Sequence, residues 1–217
     1  MDGKSSSWTS IANRSGGSTR RRNPPPGQRN DKEKSEEELA KQEEFEKIRD
    51  TIVWSNGFPL YFQNSVSAFN DNDNCKDNGF WNWYATHCLY RDNHYDCPTS
   101  TDYKEDYIIS TYFKMIYDAF IPRFKEMKIF TRLQRIKVNM YPYTTEVMEH
   151  DPHYDTDIPH RGALFSLNTC NGFTKLHEGT RIDSVANRLM LFYPHYMHNS
   201  STTSDAPARY NINFNFV

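Results

Sequence analysis

Cysteine is scarce in this chain: four in 217 residues, at 75, 88, 97 and 170. No two of them stand in a Cys-x-x-Cys pair. That excludes a dense disulfide framework and a paired-cysteine zinc site, and it fits a reducing compartment. Long apolar runs are missing too, and none approaches the ~18 residues that a membrane-crossing helix needs. The first residues lack the apolar core of a secretory signal. Nor is there an excess of one charge: 26 Lys and Arg stand against 28 Asp and Glu, for a formal net charge of -2. A general nucleic-acid binder is therefore not expected. The expectation from these absences is a soluble cytoplasmic protein with no membrane partner.

Aromatic residues, by contrast, make up 15% of the chain. They suit a β-rich core, and a few could line a substrate groove. The length allows one domain with a substantial core. Residues 1–34 are rich in Ser, Gly, Arg, Asn and Pro and include Arg20-Arg21-Arg22 and Pro24-Pro25-Pro26. Such a segment cannot bury enough apolar surface to offset its ordering entropy, so it reads as a disordered, solvated tail. Residues 35–50 read as a charged, solvated helical lead-in. Ser35 and Glu38 have the spacing of a capping box, and acidic residues crowd the first turn.

The domain is expected over 51–217. Short apolar runs at Ile52-Val53-Trp54 and Pro59-Leu60-Tyr61-Phe62 flank an Asn56-Gly57 turn signal. Residues 69–80 and 91–102 read as polar loops, and Phe80 to Tyr84 as an aromatic core segment or groove wall. A helix is expected from about Asp106 to Lys125, with Ile109, Tyr112, Phe113, Ile116, Tyr117 and Phe120 as its apolar stripe. Pro122 should kink or end it. From Arg135 to Tyr141 the pattern alternates with the period of a half-buried strand. Strand-like segments follow at 163–168, 173–176, 188–193 and 209–216. Helices followed by many short strands point to an α+β, mainly β chain, with N-terminal helices packed on an antiparallel barrel or sandwich.

The densest chemistry lies in Glu149-His150-Asp151-Pro152-His153-Tyr154-Asp155. Two histidines, one carboxylate and open positions make an iron site of the oxygenase type. In a strand, residues i and i+2 point to one side, so His153 and Asp155 could converge on one metal. A lone His-x-Asp arises easily by chance and, taken alone, reads more readily as two solvated loop residues. Downstream, both His195 and His198 follow the apolar strand Leu189 to Tyr193. Arg209 opens the last strand, where Arg209, Asn211, Asn213 and Asn215 share one face and Tyr210, Ile212, Phe214 and Phe216 the other. A polar row is unusual inside a small barrel unless the lumen takes something polar. An arginine there can grip a carboxylate with two parallel hydrogen bonds.

Taken together, Asp151 to Asp155, Gly172-Phe173-Thr174, Asn187 to Phe192 and Arg209 to Asn215 resemble the 2-oxoglutarate/Fe(II)-dependent dioxygenases, nearest to the prolyl 4-hydroxylase-like branch and its viral and phage-type relatives. The likeness covers about 135–217. It implies a double-stranded β-helix (jelly-roll) core there, with Fe(II), 2-oxoglutarate and O2 as cofactors and ascorbate as an allowed accessory. It further implies His153, Asp155 and His198 as metal ligands, the spacing to Arg209 favouring His198 over His195. Arg209 would anchor 2-oxoglutarate, with Asn211 assisting. Tyr141, preferred to Tyr143 by strand phase, would contact the co-substrate. His150 stands where the branch often has a tyrosine. His160 and His177 read as surface or loop histidines, His87 and His94 as structural. The implied reaction is hydroxylation of a C–H bond with release of succinate and CO2. Peptidyl proline comes first as substrate, then another peptide or small molecule, with nucleic acid least favoured. A non-catalytic binding barrel is the alternative.

Overall fold

The computed structural model describes residues 36–66, 81–92 and 102–217. The expected tail over 1–34, the cap at Ser35, the Asn/Asp-rich loop over 69–80, most of the polar stretch over 91–102, and Cys75, Cys97 and His94 lie outside the described residues.

Residues Glu36–Arg49 form helix α1 and run directly into a π-type turn at Asp50–Trp54. The helix is not solvated all round. Phe45, Ile48 and Ile52, spaced three and four apart, fall on one face and join the main core. The apolar run Ile52 to Trp54 thus belongs to a helical turn. Helix α2 spans Phe113–Glu126 and starts later than the periodicity suggests. Its first turn is set at Ser110, whose hydroxyl accepts from the Tyr112 N–H at 3.2 Å and whose carbonyl accepts from the Phe113 N–H at 3.0 Å. Ile109, expected on the apolar stripe, is left 59% exposed. Pro122 sits inside α2 without ending it. An Arg123–Glu44 ion pair at 2.6 Å ties the two helices together.

The remaining elements are strands: β1 (Tyr61–Gln63), β2 (Tyr84–Arg91), β3 (Leu133–Pro142), β4 (Arg161–Ser166), β5 (Phe173–Leu176), β6 (Arg181–Asp183), β7 (Arg188–Phe192), β8 (His198–Ser200) and β9 (Ala208–Phe216). They form a six-stranded sheet in the order β1-β2-β3-β9-β4-β7 and a three-stranded sheet in the order β6-β5-β8. All the strand pairs are antiparallel. Isolated bridges Glu149–Ser201 and His153–His198 lay residues 149–153 along the free edge of β8. The smaller sheet thereby gains an irregular fourth strand. From β3 onward the chain passes back and forth between the sheets and closes with β9 between β3 and β4. This is a double-stranded β-helix core with helices against its larger sheet.

The period-two alternation of β3 and β9 sorts their side chains between two environments. Ile136, Val138, Ile212, Phe214 and Phe216 meet α1 and α2 in the main core. Phe120 of α2 touches Phe165 and Phe214 with ring centroids 4.7 and 4.9 Å away. On the opposite face, register pairs Arg135 with Asn215, Lys137 with Asn213, Asn139 with Asn211, and Tyr141 with Arg209. This polar ladder faces the smaller sheet, beside a small apolar cluster of Leu164, Leu176, Met190 and Phe192. The segment from Phe80 to Tyr84 divides: Phe80 is outside the described residues, Trp81 stacks on His150, and Tyr84 opens β2 and stacks on Tyr141.

Candidate functional site

Local backbone pairing brings the proposed ligands together. His153 N–H donates to the His198 carbonyl at 3.0 Å, and His198 N–H returns a bond to the His153 carbonyl at 2.8 Å. Their rings lie 4.6 Å apart, centroid to centroid. Two residues on, Asp155 N–H donates to the Pro194 carbonyl at 2.9 Å, which turns its side chain to the same side. One potential ligand atom from each of His153, Asp155 and His198 lies within 4.8 Å of the others.

The atoms turned away from that meeting point are already engaged. His153 Nδ1 faces the Asp151 carbonyl at 3.5 Å, and His198 Nδ1 faces the Tyr196 carbonyl at 3.0 Å. A carbonyl can only accept, so each Nδ1 carries the proton and each Nε2 keeps a lone pair. Asp155 Oδ2 takes Arg135 Nη2 at 2.8 Å, Asn215 Nδ2 at 2.9 Å and Asn213 Nδ2 at 3.3 Å. Oδ1 is left as the outward lone-pair donor. Two imidazole nitrogens and one carboxylate oxygen are a donor set that suits a divalent transition metal with open positions.

Electrostatics keep these groups in the metal-binding form. Burial, then the neighbouring His198, pushes His153 down to about 3. His198 is also lowered, chiefly by burial. Burial alone would raise Asp155, but Arg135 and then Lys137 hold it well below the ordinary carboxylate range. The imidazoles are neutral and the carboxylate ionised at neutral pH.

A second feature lies farther along the lumen. Arg209 is 1% exposed. Its Nη2 donates to Thr174 Oγ1 at 2.7 Å and its Nη1 to the Ser201 carbonyl at 3.3 Å, while Nε has no partner. No carboxylate pairs with it among the described residues. The guanidinium lies 5.2 Å from the Tyr141 ring centre. Thr174 pairs with Ser200 on β8 and Leu176 with His198, so the arginine's contact is offset from the histidine by two residues, roughly 7 Å along a strand. Gly172 makes room for the arginine: a Cβ there would meet Thr202 O at 2.6 Å and Arg209 Cδ at 2.8 Å. Asn211 accepts from Asn139 at 3.0 Å, and its own Nδ2 is buried without a partner. Tyr141, Thr174, Asn211, Asn213 and Lys137 share with His153, Asp155 and His198 a cavity of about 20 Å³. That holds one or two waters, and a larger ligand requires side chains to move.

Sequence reasoning passed over four residues of this constellation. Arg135 and Asn215 hold Asp155, Lys137 lines the cavity, and His160 supports the set from behind. His160 lies in the loop before β4, one of the two places expected, but is not at the surface: it is 4% exposed. Its Nδ1 donates to the Ile158 carbonyl at 2.7 Å and its Nε2 accepts from Asn215 at 2.8 Å. The alternating polar face of β3, the same pattern that was used on β9, could have found Arg135 and Lys137. The other described histidines fall outside the cluster. His195 meets the backbone of His160. His150 is buried between Trp81 and Tyr141 and bonds Ser200 Oγ at 2.9 Å. His87 is buried on Ser110, and His177 pairs with Glu178.

No protein-family model matches the sequence, and no curated protein matches it. Solved structures do match. An oxidoreductase of the 2OG-Fe(II) oxygenase family from Burkholderia pseudomallei aligns at 14% identity and TM-score 0.51, over 83% of this chain and 79% of that one. A prolyl hydroxylase from Trichoplax adhaerens, solved with a hypoxia inducible factor peptide fragment, aligns at 16% identity and TM-score 0.49, over 82% and 78%. A viral collagen prolyl hydroxylase from Paramecium Bursaria Chlorella virus-1 aligns at 11% identity and TM-score 0.42, over 62% and 79%. The first likeness shows a shared fold. What these proteins act on is a property of those proteins.

Proposed function

We propose that the chain is an Fe(II)- and 2-oxoglutarate-dependent dioxygenase. His153 Nε2, His198 Nε2 and Asp155 Oδ1 would hold the metal, and Arg209 would hold the far carboxylate of 2-oxoglutarate. When bound, the pair would activate O2, one oxygen atom going to a substrate C–H bond as a hydroxyl and the other to succinate as CO2 is released. The protein's part is placement. Arg135, Asn213 and Asn215 fix one oxygen of Asp155, so the other faces the metal. The two backbone carbonyls fix the imidazole tautomers. Tyr141, Thr174 and the unpaired Nδ2 of Asn211 offer polar contacts along the co-substrate, and Leu164 and Phe192 limit water.

The observation that carries this reading is Arg209, a buried cation with no carboxylate partner among the described residues, two strand positions from the histidine cluster. A buried charge without a counter-ion is costly, and an anionic ligand relieves that cost. The shared fold supports the reading. For the substrate, peptidyl proline is the first proposal. In its support, a groove of about 380 Å³ abuts His198, lined by Ile129, Leu176, Phe192, Tyr193, Tyr196 and Met197. Aromatic-lined grooves suit extended, proline-containing segments. The small free volume beside the ligands favours the second reading, a barrel that binds but does not catalyse. Anaerobic titration with Fe(II) and then 2-oxoglutarate separates the two. The dioxygenase should develop a visible metal-to-ligand charge-transfer band that saturates at one equivalent of each. A colourless titration would reject the proposal.

A further inference from the structure

The lumen carries more positive charge than the proposed function uses. β3 and β9 direct Arg135, Lys137 and Arg209 to the same side. Arg135 is matched by Asp155 at 2.8 Å, and Arg209 is assigned above to a distant carboxylate. Lys137 is left over. It lines the cavity together with His153, Asp155 and His198. No hydrogen bond or ion pair reaches its ammonium among the described residues, and its nearest feature is the face of Tyr84, 5.7 Å from the ring centre. Opposite it on β9 stands Asn213, an amide without charge. Lys137 shares the Asp155 carboxylate with Arg135, so two cations face one anion, and an arriving anion would offset the rest of the ammonium's desolvation cost. Lys137 is four residues from Tyr141, and Tyr141 pairs with Arg209. Arg209 and Lys137 therefore mark two ends of the lumen, with Lys137 at the end of His153, Asp155 and His198.

We propose that Lys137 is a second carboxylate-binding side chain, which seats a carboxylate next to the metal position while Arg209 seats another at the far end. The inference rests on the dioxygenase reading for the identity of that far carboxylate. The chemistry is one carboxylate on one ammonium. Its source is either the 2-oxo-acid end of the co-substrate or a carboxylate of the substrate. Lysine suits the task because its flexible stem lets the ammonium leave the small cavity and return over the bound anion. Burial and then Arg135 bring Lys137 down to about 8, so it stays cationic at neutral pH.

The test is calorimetric titration of the full chain loaded with Ni(II), comparing wild type with Lys137→Met, Lys137→Arg and Arg209→Met. The ligands are pyruvate, a 2-oxo acid without a far carboxylate, then 2-oxoglutarate, then acetate added to the 2-oxoglutarate-saturated protein. If the carboxylate belongs to the co-substrate, Lys137→Met weakens pyruvate at least tenfold, Lys137→Arg stays within threefold of wild type, and Arg209→Met weakens only 2-oxoglutarate. If it belongs to the substrate, both 2-oxo acids bind Lys137→Met as they bind wild type, and acetate binding is lost in that variant alone. Equal affinities for all three ligands in wild type and Lys137→Met overturn the inference while the dioxygenase reading stands. A wild type that binds neither 2-oxo acid removes the dioxygenase reading. Acetate titrated into the Ni(II)-loaded protein then decides Lys137 alone, with selective loss in Lys137→Met supporting it and any other result overturning it. Thermal melts of the metal-free variants serve as the folding control. A cooperative melt marks each variant as folded.

Discussion

Gly172→Ala is the substitution that most sharply separates the two halves of the candidate site. The added methyl carbon would sit 2.6 Å from the Thr202 carbonyl oxygen and 2.8 Å from Arg209 Cδ. The first contact is with backbone and cannot be relieved by a rotamer change. The second is with the stem of a side chain that is only 1% exposed and tied to Thr174. Overpacking of this kind costs about 1–3 kcal/mol. For a chain of this size each kcal/mol lowers the melting temperature by roughly 2–4 °C, so a fall of about 2–12 °C is expected. Displacement of Arg209 should also weaken 2-oxoglutarate at least tenfold, about 1.4 kcal/mol or more. Metal affinity should be unchanged, because the atoms an added Cβ would press on belong to Thr202, Arg209 and Ser201 and not to His153, Asp155 or His198. Gly57→Ala is the control. A Cβ there meets only Ser55 Oγ, at an ordinary 4.0 Å. Differential scanning fluorimetry and titration of the metal-loaded protein read both quantities. A Gly172→Ala variant with wild-type melting and wild-type 2-oxoglutarate affinity would refute the geometry assigned to Arg209.

His153→Ala and Asp155→Ala should each abolish succinate formation from 2-oxoglutarate in the absence of substrate, measured by coupled assay; unchanged turnover in either would remove the metal assignment. Burial and then Arg209 push His150 down to about 4. Its unfolded pKa is near 6.5, so between those values the unfolded chain binds more protons and stability falls as pH drops. Metal-free protein should lose on the order of 3 kcal/mol from this group between pH 6.5 and 4, and denaturant titrations of His150→Gln should show a shallower pH slope. Phe120→Ala, in a site bounded by Phe165 and Phe214, should cost about 3–5 kcal/mol by equilibrium unfolding; a loss below ~1 kcal/mol would show that the helix-to-sheet contact can collapse around the gap.

The parts of the fold legible from sequence are those where a period repeats long enough to read. β9 alternates over its nine residues, and β3 over seven of its ten, Arg135 to Tyr141. Their polar faces were visible as rows. The partner of each residue was not, because Arg135 meets Asn215 across 80 positions of sequence. That is why Asp155 could be picked from its spacing to His153 while the side chains that orient it were missed. β8 is only three residues long, too short for a period, so His198 stood out by its place after β7 and not by any pattern of its own. β2, Tyr84–Arg91, went unread because histidine, cysteine and tyrosine interrupt its alternation and a bulge shifts its register between Cys88 and Tyr90. Helix α2 was found but misplaced at its start. Ile109 continues the apolar period in sequence, whereas in space a turn at Ser110 comes first and the helix begins at Phe113. Tertiary contact also overrode composition in α1, where Phe45 and Ile48, with Ile52 of the turn that follows, sufficed to dock a strongly charged helix.

The central claim is that one metal ion and one 2-oxoglutarate share the lumen between His198 and Arg209. Anomalous scattering at the iron edge, from crystals grown anaerobically with Fe(II) and 2-oxoglutarate, tests it most directly. The account predicts a single iron peak bonded to His153, Asp155 and His198, with the diacid running from that ion to the Arg209 guanidinium. An iron peak on any other set of residues, or none at all at saturating Fe(II), would contradict it.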